Sequence, residues 1–129
     1  MKNLLAVATG GAIGTYLRYL INLNIESPLG TLIENLIGSF VLGALTAWFL
    51  QKRVKEWLRV GLGVGLCGGF TTMSTLAFES FLLYERASFF LLCLYWGVSV
   101  LGGIMLAFSG HWLVRWRRNP LQSREVSRK

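Results

Sequence analysis

Four runs of about 18 or more residues, nearly free of charge, follow one another along this 129-residue chain at roughly 3–25, 29–50, 57–84 and 87–114. Only short connections part them: one carries Glu26, Ser27 and Pro28, the next is the segment QKRVKE, and the third is the pair Glu85 and Arg86. A run of about 20 apolar residues has the length of a helix that crosses a bilayer. In hydrocarbon the backbone must satisfy its own hydrogen bonds, so such runs are helices. The chain therefore reads as an all-α integral membrane protein, with one four-helix domain over 1–114 and a basic cytoplasmic tail over 115–129. Composition agrees: 53% of residues are apolar and 15% charged, against roughly 45–50% and about 25% in soluble domains. The first run continues past position 20 and three like it follow, so it is expected to stay in the protein rather than be cleaved as a signal peptide.

A formal charge of +7 would suggest nucleic acid in a soluble protein. Here the positions of the charges exclude it. Six of the thirteen Lys and Arg residues lie from Arg115 to Lys129, and Lys52, Arg53, Lys55 and Arg59 cluster in and after the second connection. With four spans, both termini and that connection share a side holding eleven basic residues, while the other side holds Arg86 alone. Basic residues near span ends resist translocation, so both termini are expected in the cytoplasm, with the chain multi-pass in the plasma (inner) membrane and inserted in one orientation.

No constellation for catalysis is apparent. The chain has no aspartate, a single histidine (His111), no phosphate-binding glycine loop with its lysine, and two distant cysteines, Cys67 and Cys93, that read as buried thiols. Two charges do lie inside spans, Arg18 in the first and Glu34 in the second. Counted from their helix ends at 1.5 Å per residue they stand at similar depth. An isolated charge there is costly, so an Arg18–Glu34 ion pair is expected, the alternative being an Arg18 side chain that reaches back to the interface.

The third span is the least ordinary. Gly65, Gly68, Gly69, Thr71, Thr72, Ser74 and Thr75 fall within eleven residues at mid-membrane depth. Glycine weakens a helix and hydroxyls compete for its backbone, which predicts a break in the third helix. Unwound backbone survives in a membrane only where it is buried in protein or lines a cavity. Thr31, Asn35 and Gly38 share one face of the second span, and Tyr95, Ser99 and Gly103 one face of the fourth. Such neutral donors suit a small, strongly hydrated anion that must exchange water for other hydrogen bonds. The same stripes also serve as polar glue between helices, and the pattern leaves both readings open. Gly10 and Gly14, Ser39 and Gly43, and Gly61 and Gly65 mark expected close-packed faces.

Taken together, GGAIGTYLRY at 10–19, GTLIENLIGSF at 30–40 and CGGFTTMSTLAFE at 67–79 resemble the three signature blocks of the small fluoride channels, the Fluc or CrcB family. The resemblance spans essentially the whole chain. It implies a fluoride-selective passive channel, an antiparallel dimer of four-span subunits with two pores, and a structural sodium ion at the centre of the dimer interface. By that resemblance the backbone carbonyls of Gly68 and Thr71 hold the sodium. Asn35 and Thr31 line the pore from the second helix, Ser74 and Thr75 form the third-helix polar track, Glu79 is the pore-side glutamate, Tyr95 and Ser99 are the fourth-helix donors, and Arg18 stands beside a vestibule. The implied mechanism is escape: fluoride enters a cell as the neutral acid, dissociates in the cytoplasm and leaves as the anion.

Three departures stand out. Met73 and Leu76 occupy the places of two phenylalanines whose ring edges would face fluoride. Glu34 replaces an apolar residue beside Asn35, and Gly103 replaces a serine. The charge bias matters as well, because identical chains in an antiparallel dimer must insert both ways, whereas eleven basic residues against one fix a single direction. A heterodimer with a homologous four-helix subunit of opposite bias is therefore favoured over a homodimer, with the pore that uses Met73 and Leu76 degenerate. Two rival readings are a proton-coupled four-helix exporter using Glu34 and a non-conducting structural partner of a channel.

Overall fold

A computed structural model describes residues 1–86 and 88–117. Helix α1 spans Lys2–Asn22 and α2 spans Leu29–Gln51. The third span begins as α3, Glu56–Val60, runs through a π-helical stretch, Gly61–Cys67, into one short turn, α4, Gly68–Phe70, and resumes as α5, Ser74–Arg86. Helix α6 spans Phe89–Trp116. Ser88 caps α6, its Oγ accepting from the Phe90 N–H at 3.1 Å, which satisfies one of the donors left open at a helix start. Four helical stretches are long and apolar enough to cross a membrane, and the described residues contain no strand. We call the end with residues 23–28 and 88 the loop end, and the end with residues 52–55 the terminus end.

Helix ends and apolar runs do not coincide residue for residue. The first span ends at Asn22, short of position 25, and the last runs on to Trp116, so Arg115 is helical rather than part of a tail. Residues 118–129 of the expected tail lie outside the described residues.

Glycine decides how the helices meet. A Cβ on Gly10 would stand 2.1 Å from the Gly61 carbonyl oxygen, and one on Gly14 would stand 2.2 Å from that of Leu66. These contacts seat α1 against the terminus half of the third span. On the other side α2 packs on α6, where a Cβ on Gly43 would meet the Ala107 oxygen at 2.0 Å and one on Gly110 the Phe40 oxygen at 2.3 Å. Helix α5 leans on α6, tied by Trp96 Nε1–H donating to Ser80 Oγ at 2.7 Å. The glycine faces expected at 10/14, 43 and 61/65 are the contact surfaces of the bundle.

The interior is polar and the exterior apolar, the reverse of a soluble domain. Thr31, Glu34, Thr72, Glu79, Ser80 and Ser99 are buried, whereas Leu5, Met105 and Phe108 are exposed. This suits a chain whose solvent is hydrocarbon.

The expected interruption is narrower than the Gly/Thr composition indicates. The backbone remains helical through Phe70 and departs from helix only over residues 71–73. Gly65 and Gly69 are needed for approach instead of unwinding: their Cβ atoms would lie 2.7 Å from the Val7 oxygen and 2.5 Å from the Gly11 oxygen. A small residue inside a helix can thus serve its neighbour rather than weaken its own turn.

Candidate functional site

At the break, the helical hydrogen bonds are reassigned one by one. In an unbroken helix the Thr72 N–H would donate to the Gly68 carbonyl. It donates instead to Asn35 Oδ1 at 2.8 Å, while Asn35 Nδ2 donates to the Thr72 carbonyl at 2.9 Å. One carboxamide from α2 therefore pairs with both backbone groups of one residue, as a strand neighbour would. The Thr75 N–H, which in a helix would serve the Thr71 carbonyl, donates to Thr72 Oγ1 at 3.2 Å and so caps α5. Gly68 and Thr71 are consequently left with carbonyls stripped of their helical donors. Thr71 itself closes the preceding turn, its N–H and its hydroxyl each donating to the Cys67 oxygen at 2.9 Å.

Hydroxyls gather around the same point. Thr72 Oγ1 lies 3.2 Å from Ser74 Oγ and 3.0 Å from Thr75 Oγ1, so these three form one small network. Nearby, a cavity of about 340 Å³ is lined by Asn35, Ser39, Thr72, Met73, Leu76 and Ser99, among others. The Ser99 Oγ is buried and has no hydrogen-bond partner, which is costly unless something that is not part of the chain meets it. Met73 is exposed and Leu76 almost fully buried. Both reach the cavity with apolar surface and neither offers an aromatic edge. Where residue 103 is glycine, a Cβ would lie 3.1 Å from Ser39 Oγ, so α2 brings a hydroxyl to the place from which α6 omits one.

Towards the loop end lies a second cluster. The Glu79 carboxylate accepts from Thr31 Oγ1 at 2.9 Å and from Ser27 on one oxygen, and from the Tyr95 hydroxyl at 2.5 Å on the other. Three hydroxyls from the first connection, α2 and α6 thereby satisfy one buried carboxyl group. This changes the expected picture of Thr31 and Tyr95 as free donors: both are committed to a carboxylate of their own chain. Ser27 was not among the expected site residues. It stands four residues before Thr31 and eight before Asn35, and continuing that stripe one turn upstream would have reached it.

The expected Arg18–Glu34 ion pair does not form. Arg18 Nη1 turns to the stripped Thr71 carbonyl at 3.5 Å, and both Glu34 oxygens are buried without a hydrogen-bond partner. The carbonyl at the break is the acceptor within reach of the guanidinium. Glu34 still feels the charges of Arg18 and Glu79 through space, with the Asn22 carboxamide alongside.

Of the expected residues, the structure brings Asn35, Ser99, Met73, Leu76, Gly68 and Thr71 to one cavity, and Thr31, Glu79 and Tyr95 to the carboxylate cluster. Ser74 and Thr75 contact Thr72, which lines that cavity, and Arg18 approaches the break from α1. Among the described residues no group of three or more His, Cys, Asp or Glu side chains could hold a metal ion.

A bundle with an apolar exterior, a stapled break in one helix and a buried, unpartnered Ser99 hydroxyl beside a cavity defines a small multi-pass membrane protein with a polar interior. The family profile described as CrcB-like protein, Camphor Resistance (CrcB), matches residues 5–111, and the chain belongs to that family. It is 55% identical to a protein of Halalkalibacterium halodurans named fluoride-specific ion channel FluC 2, over 88% of this chain and 86% of that one. It is 40% identical to a Leptospira interrogans protein named fluoride-specific ion channel FluC, over 88% and 95% of the two chains. A Bacillus subtilis protein named fluoride-specific ion channel FluC 2 is 42% identical, over 85% and 86%.

Proposed function

We propose that this chain is a subunit of a fluoride-selective passive channel that lets fluoride leave the cytoplasm. It is a channel protein and not an enzyme. The observation that carries the reading is the pairing of the Asn35 carboxamide with Thr72 beside the unpartnered Ser99 hydroxyl, in one cavity at a helix break. Neutral donors held by backbone are what a small anion needs when it sheds water. Asn35 keeps a second amide hydrogen beyond the one given to Thr72, and Ser99 has its whole hydroxyl to offer.

A structural sodium ion fits the chain's own chemistry. The carbonyls of Gly68 and Thr71 have lost their helical donors, and a Cβ on Gly68 would meet nothing within 4 Å, so that side of the turn is open. Two hard oxygens from each of two subunits would hold the ion, and it would supply positive charge at the break. The dimer is antiparallel, with both termini of this chain in the cytoplasm, in keeping with its eleven basic residues on that side. That bias favours a homologous subunit of opposite bias as the partner. The pore faced by Met73 and Leu76, which lack positive ring edges, is the degenerate one.

Efflux from liposomes, followed with a fluoride electrode and a chloride electrode, tests the reading. Co-reconstitution with a homologous subunit is expected to release fluoride at least tenfold faster than chloride, with little release by this chain alone. Fast selective release by the chain alone would overturn the heterodimer and leave the channel standing. Glu34→Gln is expected to leave fluoride flux unchanged or raised, since it removes a negative charge. A loss of transport in that variant would favour a proton-coupled exporter, and flux indifferent to changes at Asn35 would favour a structural partner.

A further inference from the structure

We propose that Arg86 is the anion-capturing residue at the loop-end mouth of the polar path. This rests on the channel reading above. A cavity of about 220 Å³ is lined by Ser27, Pro28, Glu79, Leu82, Leu83 and Arg86. Two of those residues, Ser27 and Glu79, belong to the buried carboxylate cluster, so this cavity borders that cluster from the loop end.

Charge makes the placement informative. The loop end carries Glu26 and Glu85, and the interior behind it carries the buried carboxylates Glu34 and Glu79. The exposed Glu26 and Glu85 side chains repel an anion approaching this end. Arg86 is the last residue of α5 and lines the cavity while Glu26 and Glu85 do not; the other basic residue towards that end, Arg18, turns to the Thr71 carbonyl. Its side chain is exposed, so the guanidinium is hydrated and free to meet an ion in water. Seven residues of α5 separate it from Glu79, about 10 Å along the helix axis. That is about one Debye length at 0.1 M salt, three times less than the Debye length at 0.01 M and three times more than that at 1 M. Arg86 therefore offsets the repulsion of the carboxylates for an incoming anion at low ionic strength and is screened out at high ionic strength. A cation placed at the mouth of a low-dielectric cleft raises the local anion concentration and the rate of entry.

The test is initial fluoride flux at sub-saturating fluoride supplied from the loop-end side, with ionic strength on that side set to about 0.01 M or about 1 M by a salt of a large, impermeant anion. Wild type, Arg86→Gln, Arg86→Lys and Arg86→Glu are compared in the preparation that conducts. Arg86→Gln is expected to lose roughly three- to tenfold at low salt and less than about 1.5-fold at high salt, Arg86→Glu to lose more at low salt, and Arg86→Lys to match wild type. An equal loss at both salts marks a structural role and overturns the proposal, as does an unchanged Arg86→Gln at low salt. Failure of the channel reading has a different signature: wild type itself releases fluoride no faster than chloride.

Discussion

Asn35→Leu is expected to abolish fluoride efflux, reducing it at least tenfold in liposomes, and to lower the unfolding midpoint of the protein in detergent. Leucine shares asparagine's branching but is bulkier and offers neither hydrogen-bond donor nor acceptor, so the Thr72 N–H and carbonyl both lose their partner. A buried polar group left unpaired costs about 1–3 kcal/mol, and two are orphaned together at a point where the helix cannot supply replacements. The break would then close into helix or draw in water, and either change moves Thr72 away from the cavity it shares with Ser99. Asn35→Asp separates the two bonds: the carboxylate still accepts from the Thr72 N–H but faces the Thr72 carbonyl with no donor, and it adds negative charge on the anion's path. It is expected to keep more stability than leucine does while conducting as poorly. Wild-type efflux together with wild-type stability in Asn35→Leu would mean that the break holds itself open.

Much of this architecture is legible in one sequence because lipid allows so few backbones. Run length gives four helices directly, and the small-residue spacings at Gly10, Gly14 and Gly43 identify contacts whose atoms approach too closely for any side chain. The break was readable too, but its extent was not. Thr71 and Thr72 leave the helix while Gly65 and Gly69 remain inside it, and what distinguishes them is a neighbour on α1 that composition does not reveal. The hydroxyl cage around Glu79 joins residues 16, 48 and 52 positions apart, a distance relation that periodicity along one helix cannot express. The Arg18–Glu34 pair failed for a related reason. Equal depth in the membrane brings two charges to the same level, yet a stripped carbonyl nearby competes for the guanidinium, and that carbonyl is open only because Thr72 Oγ1 has taken its helical donor, the Thr75 N–H. Sequence patterns thus place elements well, and the site is decided by which backbone groups the elements leave open.

Gly43→Val is expected to remove the folded protein almost entirely, read as the loss of a monodisperse species in detergent and of efflux. A Cβ at this position would lie 2.0 Å from the Ala107 oxygen, 2.7 Å from its carbonyl carbon and 2.8 Å from its Cα. All three are backbone atoms of α6, so no rotamer change relieves the overlap and the two helices must separate by more than an ångström. Overpacking a core by a methylene or two commonly costs about 1–3 kcal/mol when side chains can shift; here they cannot, and at least about 3 kcal/mol is expected. Water does not drive these helices together in lipid, where close backbone packing supplies much of the association, so the separation is not recovered elsewhere. It also carries function with it, because α6 holds Tyr95 against Glu79 and Ser99 in the cavity opposite Asn35. Gly11→Ala is the matched control: its Cβ would meet only the Gly65 oxygen, at 3.9 Å, and it should behave as wild type. If Gly43→Val folds as well as Gly11→Ala, α2 and α6 are not packed backbone to backbone, and the positions assigned to Tyr95 and Ser99 fall with that contact.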